Sequence, residues 1–349
     1  MLLQNDPKDV SQNWNKDMHA IRTYSQHCAD NIHMVAPQDF VKRHENLART
    51  LQNDDDAFAY VMEPSATMLY FANIGWSRTE RPFVIIYSLD DTSATGVAMT
   101  IVTPMFEATR AQEQLIKAKL PSDVPVEVVT WIEHESPYET ILSVLESKQR
   151  RAGQSKTKVY VEATTRLFVA KGISDAIPAS SSLATAVASQ AIQQLRMVKT
   201  PVEVDLMRCA ARVTHFAVQK VHPYVKPGLK ESEVAAMMTE ALAHGGLEET
   251  WVVALVDENA ALPHGNPAHE NVVQPGSLIL IDTGGSFYGY QSDLTRTFFA
   301  AGDADHTIKT NQTLLDAWQS VKNAQQAVID TMKKGNSCAQ VDLTARHII

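Results

Sequence analysis

Asp282 and Asp293 lie in the segment LILIDTGGSFYGYQSDLTRTFF, residues 278–299, where two β-rich runs flank a glycine-containing turn and each run carries one aspartate. With the turn centred on Phe287 and Tyr288, the two aspartates face one another across a hairpin. Directly opposed residues on paired strands have Cβ atoms only about 4.5–5.5 Å apart, a spacing at which two bare carboxylates repel. A divalent cation offsets that repulsion most simply, because converging carboxylates supply oxygen ligands and negative charge together. A shared proton or an arginine would also serve, and Arg296 is near in sequence. The bland alternative is two solvated aspartates at strand ends or turns, where the residue is common.

His264 stands between Pro263 and Gly265, which suits an exposed turn histidine as well as a ligand-facing one. A zinc site built from His264 and His269 is disfavoured, because Pro267 prevents a helix from presenting both on one face. Covalent catalysis has little support: the serines at 180–182 lack the Gly-x-Ser-x-Gly elbow, and no cysteine sits in an activating motif.

The elements that must position these residues read as a mixed α/β chain. A helix is expected over Phe40–Leu51, then strands near Pro82–Leu89, Val97–Val102, Val126–Trp131 and Lys158–Glu162, with helices near Arg110–Leu120 and Pro137–Lys148 between them. Leu183–Met197 reads as a helix. Thr200 can then cap a new helix beginning at Pro201, with Glu203 closing a capping box. Beyond it come a helix from Pro201 that stops at Pro223, another at about 232–244, strands at Trp251–Val256, Ser277–Asp282 and Gln291–Phe299, and a long helix at about 307–334. Ser337 and Gln340 open a last capped helix. These readings divide the chain into a loosely attached arm at 1–36, an α/β domain at 37–197 and a second domain at 198–349.

With 349 residues, two domains are the natural prior. An apolar fraction of 44% with 20% charged residues places the chain among ordinary globular proteins. A net charge of −9 without a basic block argues against nucleic acid as partner. Cys28, Cys209 and Cys338 are odd in number and far apart, so neither a disulfide framework nor a thiolate zinc site is suggested, and a cytoplasmic setting is expected. No apolar run approaches the ~20 residues of a membrane span, so no membrane partner is expected.

The string DTGGSFYGYQSDLTRTF resembles the metal-binding hairpin of the pita-bread metallopeptidases, the superfamily of creatinase, prolidase (Xaa-Pro dipeptidase) and aminopeptidase P. The matching positions are Asp282, Tyr290, Ser292, Asp293, Thr295, Arg296 and Thr297. Upstream, LPHGNPAHENVVQPGSLILID is similar to the family's histidine-glycine loop, with His264 at the histidine position, and MVKTPVEVDLMRCAARVTHFAV looks like the helix that opens the catalytic domain. The resemblance covers roughly residues 38–349, most strongly from Lys199 onward. It implies an α/β fold: a creatinase/prolidase-like N-terminal domain followed by a pita-bread α+β domain.

Carried over position by position, the resemblance makes Asp282 and Asp293 metal ligands, Asp293 the bridging one, with Thr295 steadying the bridging carboxylate and His264 hydrogen-bonding the substrate. It implies two divalent ions, manganese first and cobalt or zinc as alternatives, a small peptide substrate with proline second, and a homodimer in the complete protein. In active relatives a histidine and two glutamates complete the ligand set from a C-terminal region. This chain stops at Ile349 before matching them, so the expectation is a fragment or an inactive form with weak or no metal binding. The alternatives are a non-catalytic pita-bread module that binds peptides or proteins and, third, a creatinase-like amidinohydrolase.

Overall fold

Pro7–Asp30 form a single helix, α1, in a computed structural model that describes residues 7–153, 155–300 and 311–349. This corrects the expectation of a loosely attached arm. The amides and charges of the segment hide a sparse stripe of Trp14, Met18, Ile21, Ser25 and Cys28, spaced by three and four, that packs onto residues beyond 204. Asp17 accepts from Lys220 and from the Tyr224 hydroxyl, both at 2.8 Å, and Ser25 donates to the Gly245 carbonyl at 2.6 Å. Cys28 and Cys209 form a disulfide with Cα atoms 6.0 Å apart, a pairing that their wide sequence separation concealed. The described residues up to His33 thus join those from Val204 onward in one compact unit, while Met34–Glu203 form another.

Met34–Glu203 contain α2 (Pro37–Gln52), β1 (Ala57–Met62), α3 (Ala66–Ala72), β2 (Val84–Leu89), β3 (Val97–Pro104), α4 (Ala108–Ala118), β4 (Val126–Trp131), α5 (Pro137–Ala152), β5 (Lys158–Val161), α6 (Leu167–Ala176), β6 (Ala184–Val187) and α7 (Gln190–Gln194). The strands form a six-stranded mixed sheet in the order β4-β3-β2-β1-β5-β6. Every residue of β1, β2 and β3 is buried, so these strands read as near-continuous apolar runs rather than alternating ones. The helix expected over Leu183–Met197 is instead the edge strand β6 followed by the short α7, which Ser189 caps. A short apolar run suits either structure, and here parallel pairing with β5 decides it.

The capping box at Thr200 is present: the Thr200 N–H donates to Glu203 Oε2 at 2.8 Å and the Glu203 N–H to Thr200 Oγ1 at 3.3 Å. It starts α8 (Pro201–Val221), which is followed by α9 (Glu231–His244), β7 (Glu248–Val256), β8 (Leu278–Phe287), β9 (Tyr290–Phe299), α10 (Gln312–Thr331) and α11 (Cys338–Arg346). The first residues of the helix expected at 307–334 lie outside the described residues. Strands β7, β8 and β9 form an antiparallel sheet in that order. Ile279, Ile281 and Phe287 face a core shared with Val213, Ala217, Met238 and Leu242 of the helices. No helix among the described residues is long and apolar enough to cross a membrane.

His44 is wholly buried on α2, with Nε2 2.7 Å from the Phe71 carbonyl and 3.1 Å from the Tyr87 hydroxyl. Burial pushes its pKa down to about 4 from 6.5; the bond to Phe71 opposes this and the charge of Arg43 adds to it. Because the folded pKa lies below the unfolded one, the unfolded chain binds more protons between these values. Stability is therefore complete above pH 6.5 and falls as pH drops toward 4, by on the order of 3 kcal/mol from this residue. Urea denaturation across that window should show a shallower loss in His44→Gln, which keeps an N–H donor without titrating.

Candidate metal centre

The connection between β8 and β9 has positive φ at both corner residues, 50° at Tyr288 and 82° at Gly289, the geometry of a tight primed turn. Pairing consequently begins at Phe287 opposite Tyr290, so Asp282 faces Thr295 and Asp293 faces Gly284. The expected direct pairing of Asp282 with Asp293 is thereby corrected. Its error was a turn centred one residue early, which left Gly289 out of a corner that demands left-handed backbone. The resulting displacement is two residues, which preserves the side of the sheet on which every side chain lies. Asp282 and Asp293 remain on one face as diagonal neighbours, a relation in which residues are about 7–8 Å apart and their Cβ atoms somewhat closer.

The opposite face is locked. Ser292 is buried, with Oγ 2.7 Å from Thr214 Oγ1 on α8; it accepts from the Gly285 N–H at 3.2 Å and donates to the Gly285 carbonyl at 3.1 Å. Across from Asp293, a Cβ on Gly284 would fall 2.0 Å from the Ser292 carbonyl oxygen, so only glycine permits this approach. Arg296 alternates to the helix-facing side, where its charge joins burial in holding the pKa of His215 below its usual range. It is therefore not the partner of the two aspartates.

Asp282 is half-buried and accepts from the Thr295 hydroxyl at 2.5 Å. The resemblance had assigned that hydroxyl to the bridging carboxylate, Asp293; cross-strand register gives it to Asp282 instead. Asp293 is exposed and has no hydrogen-bond or ion-pair partner among the described residues.

His264 lies exposed in the long connection between β7 and β8. That connection touches the aspartate-bearing face at Leu255, because a Cβ on Gly265 would meet Leu255 Cδ1 at 2.9 Å, and Leu255 pairs with Leu280 on the same face as Asp282. The ends of the connection are joined through Asp257, which accepts from Ser277 Oγ at 2.6 Å and the Leu278 N–H at 2.8 Å. Its interior is tied to Glu231, a fully buried residue on α9. Sequence reading singled out neither acid. Nothing in VKPGLKE distinguishes Glu231 from an ordinary charged residue in a first helical turn.

Among the described residues no group of three or more histidine, cysteine, aspartate or glutamate side chains stands together to hold a metal ion. Two carboxylates on one face fit part of the oxygen shell of a divalent cation without closing it.

Comparison with known proteins places the fold and then the family. A dipeptidase structure from Mycobacterium ulcerans superposes with a TM-score of 0.74 at 22% identity, covering 90% of this chain and 77% of that one, so the mixed α/β architecture is of the pita-bread prolidase type. Residues 205–349 match the model of metallopeptidase family M24, and the chain belongs to that metal-dependent family. An uncharacterized peptidase of Schizosaccharomyces pombe is 34% identical over 325 residues, 90% of this chain and 66% of the relative. An Xaa-Pro dipeptidase of Lactobacillus helveticus is 25% identical over 308 residues, 87% of this chain and 76% of the relative. The chain spans 58 to 66% of the length of the first curated relatives it matches.

The close approach at Gly284 yields a direct test of the hairpin. Gly284→Ala should lower stability by about 1–3 kcal/mol, the usual cost of overpacking, through displacement of the Ser292 backbone. Thermal denaturation beside Gly75→Ala, where an added Cβ meets open space and the backbone is not in the left-handed region, separates this contact from general glycine replacement.

Proposed function

We propose that this chain carries the aspartate hairpin of a peptide hydrolase that cleaves the N-terminal bond of small peptides with proline second, with divalent metal, manganese first, held by Asp282 and Asp293. The observation that carries this reading is the placement of both carboxylates on one sheet face, with Arg296 on the other. The Lactobacillus helveticus relative, named as an Xaa-Pro dipeptidase, supports the substrate class. A metal pair in such a site supplies a polarised carbonyl and an activated water. Thr295 orients Asp282 by engaging Oδ1, which leaves Oδ2 for a cation. Asp293 offers both oxygens, and His264, on the loop that touches this face, donates to or accepts from the substrate peptide.

Among the described residues the face gathers two carboxylates, so metal affinity is expected to be weak. The same observation favours a second reading, a module that binds peptides without metal. Titration of Mn(II) followed by electron paramagnetic resonance should show affinity reduced at least ~10-fold in Asp293→Asn. Equal affinity in the two proteins would sink the metal assignment. Gly-Pro binding that persists unchanged in a chelator would favour the metal-free module.

A further inference from the structure

We propose that Glu231 is the positioning residue of the His264 loop, its buried carboxylate setting where that histidine stands. This rests on the reading of His264 as the residue that meets the substrate. Glu231 is 0% exposed, and its carboxylate accepts five hydrogen bonds: from the Val256 N–H at 2.7 Å, from Asn259 Nδ2 to both oxygens at 3.1 and 2.9 Å, from the Ala268 N–H at 2.7 Å and from Asn271 Nδ2 at 3.2 Å. These donors come from the end of β7 and from both sides of His264, so one carboxylate gathers the two arms of the loop.

The backbone of the same helical turn reinforces it. The Glu231 N–H donates to the Asn271 carbonyl at 3.1 Å and the Ser232 N–H to the Ala268 carbonyl at 3.3 Å. A buried charge without a cation is tolerated only where N–H donors surround it, and a helix N-terminus adds favourable potential. The donors here come from the loop, so the carboxylate and the folded loop require one another. Asp257 closes the ends of the loop and leaves its interior to Glu231. The section that bears His264, between Asn259 and Ala268, has Glu231 as the shared acceptor of its two flanks.

The full chain, labelled at histidine, supplies the test. The imidazole resonance of His264 is identified by its absence in His264→Gln, and that of His44, in the other compact unit, reports on folding elsewhere. Glu231→Gln replaces an acceptor oxygen with an NH2 that faces donors. The expected result is a shifted or broadened His264 resonance with that of His44 unchanged, and at least a tenfold loss in the affinity with which Gly-Pro perturbs His264. Glu231→Asp, which keeps the charge on a shorter arm, should recover part of the native signal. A native His264 resonance and peptide response in Glu231→Gln would overturn the proposal. If that variant loses native structure in its own unit, as circular dichroism and the remaining histidines would show, Asn259→Ala removes one donor and is read by the same two outcomes. Failure of Gly-Pro to perturb His264 in the unaltered chain would sink the substrate reading alone, because the effect of Glu231 on the His264 resonance is measured without peptide.

Discussion

Ser292 lies at a point where three parts of the chain must agree. Its hydroxyl meets Thr214 on α8 and both backbone groups of Gly285 on β8, so a helix and two strands are fixed by one small side chain. A buried hydroxyl with these bonds cannot exchange faces without stranding polar atoms away from water. Because successive side chains alternate, an inward Ser292 turns Asp293 outward, and the pairing that brings Gly285 to Ser292 places Asp282 on the same outward side. The facing of the acidic pair is a consequence of this polar contact in the core.

The acids of this region divide by what surrounds them. Glu231, fully buried, is filled by loop donors, and the exposed Asp257 accepts two bonds that close the loop's ends. Asp282 has one hydroxyl partner and Asp293 has none among the described residues, so their oxygens remain available. Desolvation sets Glu231 apart from the three aspartates. A fully buried carboxylate needs its lone pairs filled at once, whereas an exposed one can wait in water for a ligand. The loop that Glu231 and Asp257 hold also packs Gly265 against Leu255, which limits how far it can rise from the sheet.

Much of this arrangement was legible in the sequence where local chemistry is decisive. Thr200 with Glu203 and Ser337 with Gln340 each mark a helix start through bonds made within four residues, and both boxes are present. The hairpin was legible in kind, while its register turned on the backbone at Tyr288, where a bulky residue adopts a left-handed conformation that sequence does not advertise. Helix α1 was missed because its apolar stripe is thin and its partners lie some two hundred residues away. Glu231 was missed for a related reason: a glutamate at a helix start is ordinary, and only distant loop donors reveal that this one is buried. The pairing of Cys28 with Cys209 likewise depends on tertiary contact.

The packing of α1 also bears on synthesis. The unit Met34–Glu203 is threaded between α1 and the remainder of its own unit, as an insertion within a split body. As the chain leaves the ribosome, the inserted unit can complete its six-stranded sheet while α1 still lacks Val213, Lys220 and Met238 as neighbours. During that interval the stripe of Trp14, Met18 and Ile21 faces water on a solitary helix, a form that is marginal without a partner. Helix α1 is then open to chaperones and proteases, until the emerging residues from Val204 onward recapture it.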